Sequence, residues 1–247
     1  MNEEVIYSII IPAYNEEEYI SKTLTSVKKA MENIADIKGE LIVVDNNSSD
    51  NTAATARSFD ALVVFEPHNQ ISRARNAGAE AARGKFLIFM DADTTMPEGL
   101  LKNALSNLLS GLCCGGGTIV TFDSVLPWYG EAARKFFNWL AVKSDFAAGC
   151  FIYCLKDAFQ GAGGFSEKVY ASEEIWFVRR LCAWGRQKNM DFRIISEFPV
   201  VTSGRKLKWF SSYQFFAFLF LTCFFPFALR SRKLCFLWYK HPVEKEK

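Results

Sequence analysis

Short, continuous apolar runs alternate with amphipathic stretches along residues 1–95 of the chain. Val5 to Ile11 is the first run, stopped by Pro12. Gly39 to Val44 is the second, ending at Asp45, and Ala61 to Phe65 and Lys85 to Met90 follow. Each is too short for a helix and lacks the polar alternation of a half-exposed strand, as expected of parallel strands covered on both faces. The intervening segments carry helix signals. Asn15-Glu-Glu-Glu18 has the spacing of a capping box for a helix running towards Ala35, Ser49 is placed to cap a helix through about Ser58, and Ser72 to Ala82 forms a third. This alternation predicts an α/β fold with a doubly wound, mostly parallel sheet flanked by helices.

Past Pro97 the rhythm loosens. The pattern predicts a helix to Ser110, a Gly-rich strand near Gly115 to Phe122, an aromatic helix around Trp128 to Val142 and a strand near Gly149 to Leu155. After the turn Gly161-Ala-Gly-Gly164, Glu173 and Glu174 open an amphipathic helix to Trp184, with Ile175, Val178 and Leu181 inward. Residues 1–204 thus read as one domain, in which 96–204 cover the open side of a site built by 1–95. A tail, 205–247, follows. Within it Tyr213 to Leu229 is a nearly continuous apolar run of 17 residues containing Pro226, where a simple spanning helix needs about 20. Both flanks are basic and aromatic, which favours a re-entrant or in-plane membrane segment with both ends cytosolic. The alternative is a core or dimer-interface helix.

A chain of 247 residues, half of them hydrophobic, can bury a full core. The net charge is only +2, unevenly spread: nine Lys or Arg against two Glu after Gly204 give the tail +7, leaving −5 for residues 1–204. That excludes a global nucleic-acid footprint and fits a tail held at an anionic membrane surface. The seven cysteines form no Cys-x-x-Cys pair, and Met1-Asn-Glu-Glu has no basic flank or long apolar core. The expectation is therefore reduced thiols, no signal peptide, and a cytoplasmic protein peripheral to the inner face of the cell membrane. With only His68 and His241, a His-rich zinc site is disfavoured, and His68, following Pro67 in a loop, reads as a surface residue.

The candidate chemistry sits where the predicted strands end. Asp91-Ala92-Asp93 closes the fourth strand, and two carboxylates leaving a buried strand together can hold a hard divalent cation and, through it, phosphates. The plainer alternative is a solvated turn capping a helix begun by Pro97. Pro12-Ala-Tyr-Asn-Glu-Glu17, Asp45-Asn-Asn-Ser-Ser-Asp50 and Arg73-Ala-Arg-Asn-Ala-Gly78 lie at the other strand ends, so all four converge on one crevice.

In this order Ile9-Ile-Ile-Pro-Ala-Tyr-Asn-Glu-Glu17, Val43-Val-Asp-Asn-Asn-Ser-Ser-Asp-Asn-Thr52, Ala74-Arg-Asn-Ala-Gly78 and Asp91-Ala-Asp93 closely resemble family 2 glycosyltransferases of the GT-A fold, over roughly residues 5–185. The resemblance implies an inverting enzyme that uses a nucleotide-sugar donor, UDP- or GDP-linked, with Mg2+ or Mn2+. Residues 1–95 would be its nucleotide-sugar half and 96–204 its acceptor half, the acceptor being a glycan or lipid-linked. It places Pro12, Tyr14 and Glu16 in the nucleotide pocket and Asp45 on the base. Arg75 falls near the nucleotide or diphosphate, Asp91 and Ala92 near the ribose, and Asp93 on the metal, with Asp91 as a further ligand through water. A carboxylate accepting two donors suits an imide or amidine edge, although Asp45 could instead cap the Ser48 to Asp50 turn. The family's acceptor base is usually the Asp of a Glu-Asp pair. Here Glu173-Glu174 matches it, making Glu174 the base with the longer side chain and Glu173 its neighbour. Two adjacent carboxylates can raise one pKa towards the working range, or can simply favour a helix N-terminus. Arg205, in Ser203-Gly-Arg-Lys206, matches a segment that approaches the diphosphate in some related enzymes; the alternative is a solvated or membrane-facing cation.

Two rivals differ in class. A sugar-nucleotide pyrophosphorylase would bring a Gly-rich, Arg-containing loop after the first strand, where Pro12-Ala-Tyr-Asn-Glu stands. A membrane-tethered partner subunit would keep the fold without turnover, and intact Asp45, Asp91, Asp93 and Glu174 argue against it.

Overall fold

The structure, a computed structural model, describes residues 4–144, 146–205, 229–232 and 234–235. Strands β1 (Tyr7–Ala13), β2 (Gly39–Asp45), β3 (Leu62–Phe65) and β4 (Phe86–Met90) alternate with helices α1 (Ile20–Glu32), α2 (Thr52–Ser58) and α3 (Ile71–Ala81). Then come β5 (Thr94–Thr95), α4 (Leu100–Leu109), β6 (Cys113–Phe122), α5 (Trp128–Lys143), β7 (Phe151–Leu155), α6 (Lys156–Gly161), α7 (Glu173–Gln187) and β8 (Asp191–Thr202).

The unbroken apolar runs of β1, β2 and β4 are explained by the layers around them, whereas β3, read as covered on both faces, is the sheet edge and leaves Leu62 and Phe65 exposed. All seven residues of β1 are buried. Its Ile9 and Ile11 pack with Leu24 and Val27 of α1 and Leu101 and Leu105 of α4. Ile10, on the opposite face, packs with Ala74 of α3 and Phe177 and Leu181 of α7. A strand covered by helices on both sides gains from apolar side chains at every position.

One eight-stranded sheet, ordered β3-β2-β1-β4-β7-β6-β8-β5, runs through both halves of the chain. The pairings β3-β2, β2-β1 and β1-β4 are parallel, as expected. The rest makes the sheet mixed rather than mostly parallel: β7 runs antiparallel to both β4 and β6, β5 runs antiparallel to β8, and β6 with β8 is again parallel. Burial patterning could not tell this, because Phe151 to Cys154 is buried throughout and reads the same in either direction. The order 2-1-4 puts a topological switch point at the carboxyl ends of β1 and β4, where a crevice opens.

Two helix starts differ from the sequence reading. α1 begins at Ile20 with no side-chain cap. Asn15, at φ 52°, instead accepts from the Ser49 amide through Oδ1 (2.8 Å), and Glu17 Oε2 accepts from the Asn51 amide (3.0 Å), so these side chains tie the β1–α1 loop to the β2–α2 loop. α2 starts at Thr52, whose amide donates to Asp50 Oδ1 at 3.0 Å, and not at Ser49. Among the described residues the cysteines form no disulfide with one another. Most of the Tyr213–Leu229 run lies outside the described residues, and among the described residues no helix is long and apolar enough to cross a membrane.

α3 lies unusually close to the sheet. A Cβ on Gly78 would sit 2.4 Å from Ile10 Cγ2 and 2.9 Å from Val44 Cγ2, both on stiff β-branched side chains. Gly78→Val is therefore expected to destabilise the protein by about 1–3 kcal/mol through overpacking, read as a lower denaturant midpoint with unchanged m-value.

Candidate active site

At the switch point Ala13 pairs in register with Asp45, bringing the β1–α1 loop and the β2 carboxylate side by side. Pro12 ends within β1 and Tyr14 and Glu16 follow it directly. Asp45 is nearly buried, and its Oδ1 accepts from the Ser48 amide at 3.0 Å. One Asp45 oxygen thus shapes the turn, as the capping alternative has it, and among the described residues no hydrogen bond to Oδ2 is seen. Asn46, which patterning did not single out, organises the next loop. Its Nδ2 donates to the Glu66 and His68 carbonyls (3.0 and 2.6 Å), and its Oδ1 accepts from the Gln70 amide (2.9 Å).

Arg75 forms the floor. Only 1% exposed, its guanidinium donates through Nη1 to Glu173 Oε1 (2.6 Å) and through Nη2 to Asp91 Oδ1 (2.9 Å) and the Gly149 carbonyl (2.7 Å). Its Cζ lies 5.1 Å from the centroid of the Phe165 ring. Burial alone would lower the Arg75 pKa, but Asp91, Glu173 and Glu174 outweigh it and raise it. The next residue, Asn76, fixes the loop that carries Phe165: its Nδ2 donates to the Phe165 carbonyl and its Oδ1 accepts from the Phe165 amide, both at 2.9 Å. Arg73 makes only a half-exposed pair with Glu167.

Ser172 precedes α7 in the left-handed conformation, φ 59°, without a side-chain cap. This unfavourable backbone turn launches the helix so that Glu173 is buried against Arg75 while Glu174 lines a cleft. The cleft, about 390 Å³, has Arg75, Asp91, Glu173 and Glu174 on its polar side and Val120, Phe122, Phe137, Ala141 and Phe146 among its apolar walls. Burial and the charge of Glu173 push the Glu174 carboxyl up to about 8, Arg75 only partly opposing them.

Asp91 and Asp93 leave β4 together, and neither caps α4, which starts at Leu100 behind Gly99 without a side-chain cap. Ala92 is buried between them, its carbonyl accepting from Thr23 Oγ1 at 2.7 Å. The Ser203 amide donates to the Asp93 carbonyl (3.1 Å), which pins the end of β8 to this turn. Arg205 follows, and its Nη2 pairs with Glu16 and, at 3.2 Å, with Asp93 Oδ2, while its Cζ stacks 4.2 Å from the centroid of Tyr19. Burial would lower the Arg205 pKa, but Glu16 and Asp93 raise it. The residues singled out in the sequence are thus gathered around the ends of β1, β2 and β4. Patterning did not find the Gly149 carbonyl, Phe165, Tyr19 and the wall formed by α5. Backbone groups and neutral aromatics leave no chemical signature in a sequence.

The model of the family described as glycosyl transferase family 2 matches residues 8–160. Glycosyltransferase AglE of Haloferax volcanii is 27% identical over 215 residues, which cover 81% of this chain and 69% of that protein. The Escherichia coli UDP-Glc:alpha-D-GlcNAc-diphosphoundecaprenol beta-1,3-glucosyltransferase WfgD is 33% identical over 111 residues, 43% of this chain, and the match spans less than half of WfgD, 42%. Among solved structures, mannosyltransferase PcManGT from Pyrobaculum calidifontis, in complex with GDP-Man and Mn2+, superposes with a TM-score of 0.67 at 20% identity, covering 98% of this chain and 67% of that one. The structural likeness supports a mixed α/β sheet with flanking helices similar to GT-A glycosyltransferases, in place of the mostly parallel sheet expected.

Truncating Arg75 would remove the buried counter-charge of both Glu173 and Asp91. Arg75→Ala is expected to cost about 3–5 kcal/mol, seen as a fall in Tm of roughly 6–20 °C. Arg75→Lys is expected to recover only part of it, because one ammonium cannot reproduce the forked contacts.

Proposed function

Because this chain belongs to glycosyl transferase family 2, we propose that it transfers a sugar from a nucleotide-diphosphate donor to a hydroxyl of a glycan or lipid-linked acceptor, with inversion and with a divalent cation. Residues 1–95 serve the donor and 96–204 the acceptor. What supports this reading is that Asp45, at the end of β2, and the Asp91–Asp93 pair, after β4, flank the end of β1, while Asp91 shares a cleft with the perturbed Glu174. Perturbed carboxylates in a cleft beside an anion-handling site are candidates for acid–base work.

In this reading Asp45 Oδ2 receives donors from the base, in a pocket shared with Pro12, Tyr14 and Glu16. Asp93, with Asp91, would hold Mg2+ or Mn2+. Asp91 Oδ1 and Asp93 Oδ2 accept from Arg75 and Arg205, and among the described residues no group of three His, Cys, Asp or Glu could hold a metal ion, so that substrate phosphates and water would have to supply the cation's remaining ligands. Bound there, it would offset charge on the departing diphosphate. Arg205 stands beside Asp93 and would share that anionic load with its guanidinium. Glu174 accepts the proton of the attacking hydroxyl, and Arg75 with Glu173 holds the α7 start that presents it. A single base facing the donor site is the arrangement of direct displacement. The apolar walls of the cleft favour an acceptor that carries an apolar part, and in a lipid-linked glycan that part lies beyond the diphosphate from the sugar that bears the reacting hydroxyl. The diphosphoundecaprenol named in WfgD is of that class.

Calorimetric titration with UDP, GDP, CDP and dTDP, each with Mn2+ and with EDTA, is expected to show cation-dependent binding of one nucleotide, lost in Asp93→Ala. No binding of any nucleotide would favour the partner-subunit reading.

A base must be ionised to act, and Glu174 is held protonated below its raised pKa. The transfer rate is therefore expected to climb with pH through about 8 and then level off. Glu174→Gln should keep nucleotide binding, lower transfer by roughly 10²–10⁴-fold and lose that ionisation from the profile. Full activity in this variant would remove Glu174 from the mechanism.

A further inference from the structure

α5 presents two opposed faces. Gly130, Ala133, Arg134, Phe137, Asn138 and Ala141 look into the cleft that ends at Glu174. On the other side Trp128, Ala132, Lys135, Phe136, Trp139, Val142 and Lys143 are exposed, Trp128 at 83%, Trp139 at 58% and Phe136 at 56%. At helical spacing these outer residues fall within an arc of about 120°. A row of rings joins the two faces. Trp139 and Phe136 lie 6.1 Å apart between centroids, Phe136 and Phe137 5.8 Å, and Phe137 and Phe146, both on the cleft wall, 6.3 Å.

We propose that the outer face of α5 docks on an anionic lipid bilayer, and that the aromatic row from Trp139 to Phe146 is the path by which the apolar part of a membrane-borne acceptor enters the cleft. The second half of this statement rests on the function proposed above. A soluble protein rarely leaves several large rings contiguous on one helix face without a partner. Charge selects the partner. The face carries Lys135 and Lys143; Glu131 stands at its margin, accepting from Arg134 Nε at 2.8 Å and lying 3.9 Å from Lys135 Nζ, so that α5 holds three cations against one carboxylate. Exposed Trp and Phe with Lys at the margins of an amphipathic helix is the chemistry of the headgroup boundary. A second copy of the chain fits less well, because it would oppose lysine to lysine, and lysine is depleted in protein interfaces.

The test uses the full chain and vesicles of phosphatidylcholine with and without phosphatidylglycerol. Wild type is expected to float with the anionic vesicles, and the triple variant Trp128→Ser, Phe136→Ser, Trp139→Ser to partition roughly tenfold less or weaker, with nucleotide binding unchanged as proof of folding. Should the triple variant not fold, bromine-labelled lipid should quench wild type more than Trp139→Phe, since the lost emission is the quenched one. Unchanged partition of the triple variant, or equal quenching of both chains, overturns the proposal. So does a lipid-free dimer that becomes monomeric in the triple variant while vesicle binding persists, which would assign the face to self-association. Failure of the unaltered chain to bind any nucleotide would sink the proposed function and leave the docking surface standing, whereas loss of vesicle binding would do the reverse.

Discussion

The structure depends on a cation placed where water cannot reach it. A guanidinium without water must have its charge answered by protein, and Arg75 draws that answer from three places: the end of β4, the loop before β7 and the first turn of α7. Each partner is thereby fixed in direction as well as position. Asp91 is held at the crevice, Glu173 is drawn inside, and Glu174, one residue on, is left facing the cleft. The ionic core and the candidate chemistry are the same construction. Such a network is weak evidence for net stability, since a well-packed apolar replacement can equal it. Its consequence here is geometric, because it sets where the Glu174 carboxylate points.

The short segment Ala74-Arg-Asn-Ala-Gly78 divides this work among three neighbours. Gly78 lets the helix approach the sheet, that approach delivers Arg75 to the strand ends, and Asn76 grips the backbone of the loop whose ring covers Arg75. None of the three could be moved to another residue type and keep its job: one needs no side chain, one needs a forked cation, one needs a donor and an acceptor on the same short amide.

Much of this was legible in the chain, for identifiable reasons. Continuous apolar strands such as Ile9 to Ile11 announce themselves because burial on both faces leaves no polar position, and the four polar clusters that end strands follow from the switch-point geometry. Strand direction was not legible, because β7 is apolar at nearly every position whichever way it runs. Nor was the choice of partner by polar loop residues. Asn15 and Glu17 have the right spacing to cap their own helix, yet they bond to a loop more than thirty residues away, at separations of 34 in both cases. Local spacing states what a side chain can do, and the tertiary fold decides which option is nearer. For Arg205 the sequence raised the right neighbourhood, and only the fold brought Glu16, Asp93 and Tyr19 around it.

The separations along the chain around Arg75 have a bearing on how the molecule comes into being. Asp91 follows it by 16 residues, Gly149 by 74 and Glu173 by 98. A chain made from its N-terminus thus displays strands β1 to β4 and helices α1 to α3 well before the carboxylate that closes their ionic core exists. During that interval the cation has one of its counter-charges and must stay hydrated. The parallel half can collapse early on its apolar surfaces, but it cannot dry its centre until α7 docks. Completion of the fold and assembly of the candidate site are then one late event, and a molecule stalled halfway through synthesis would hold a sheet without the cleft beside it.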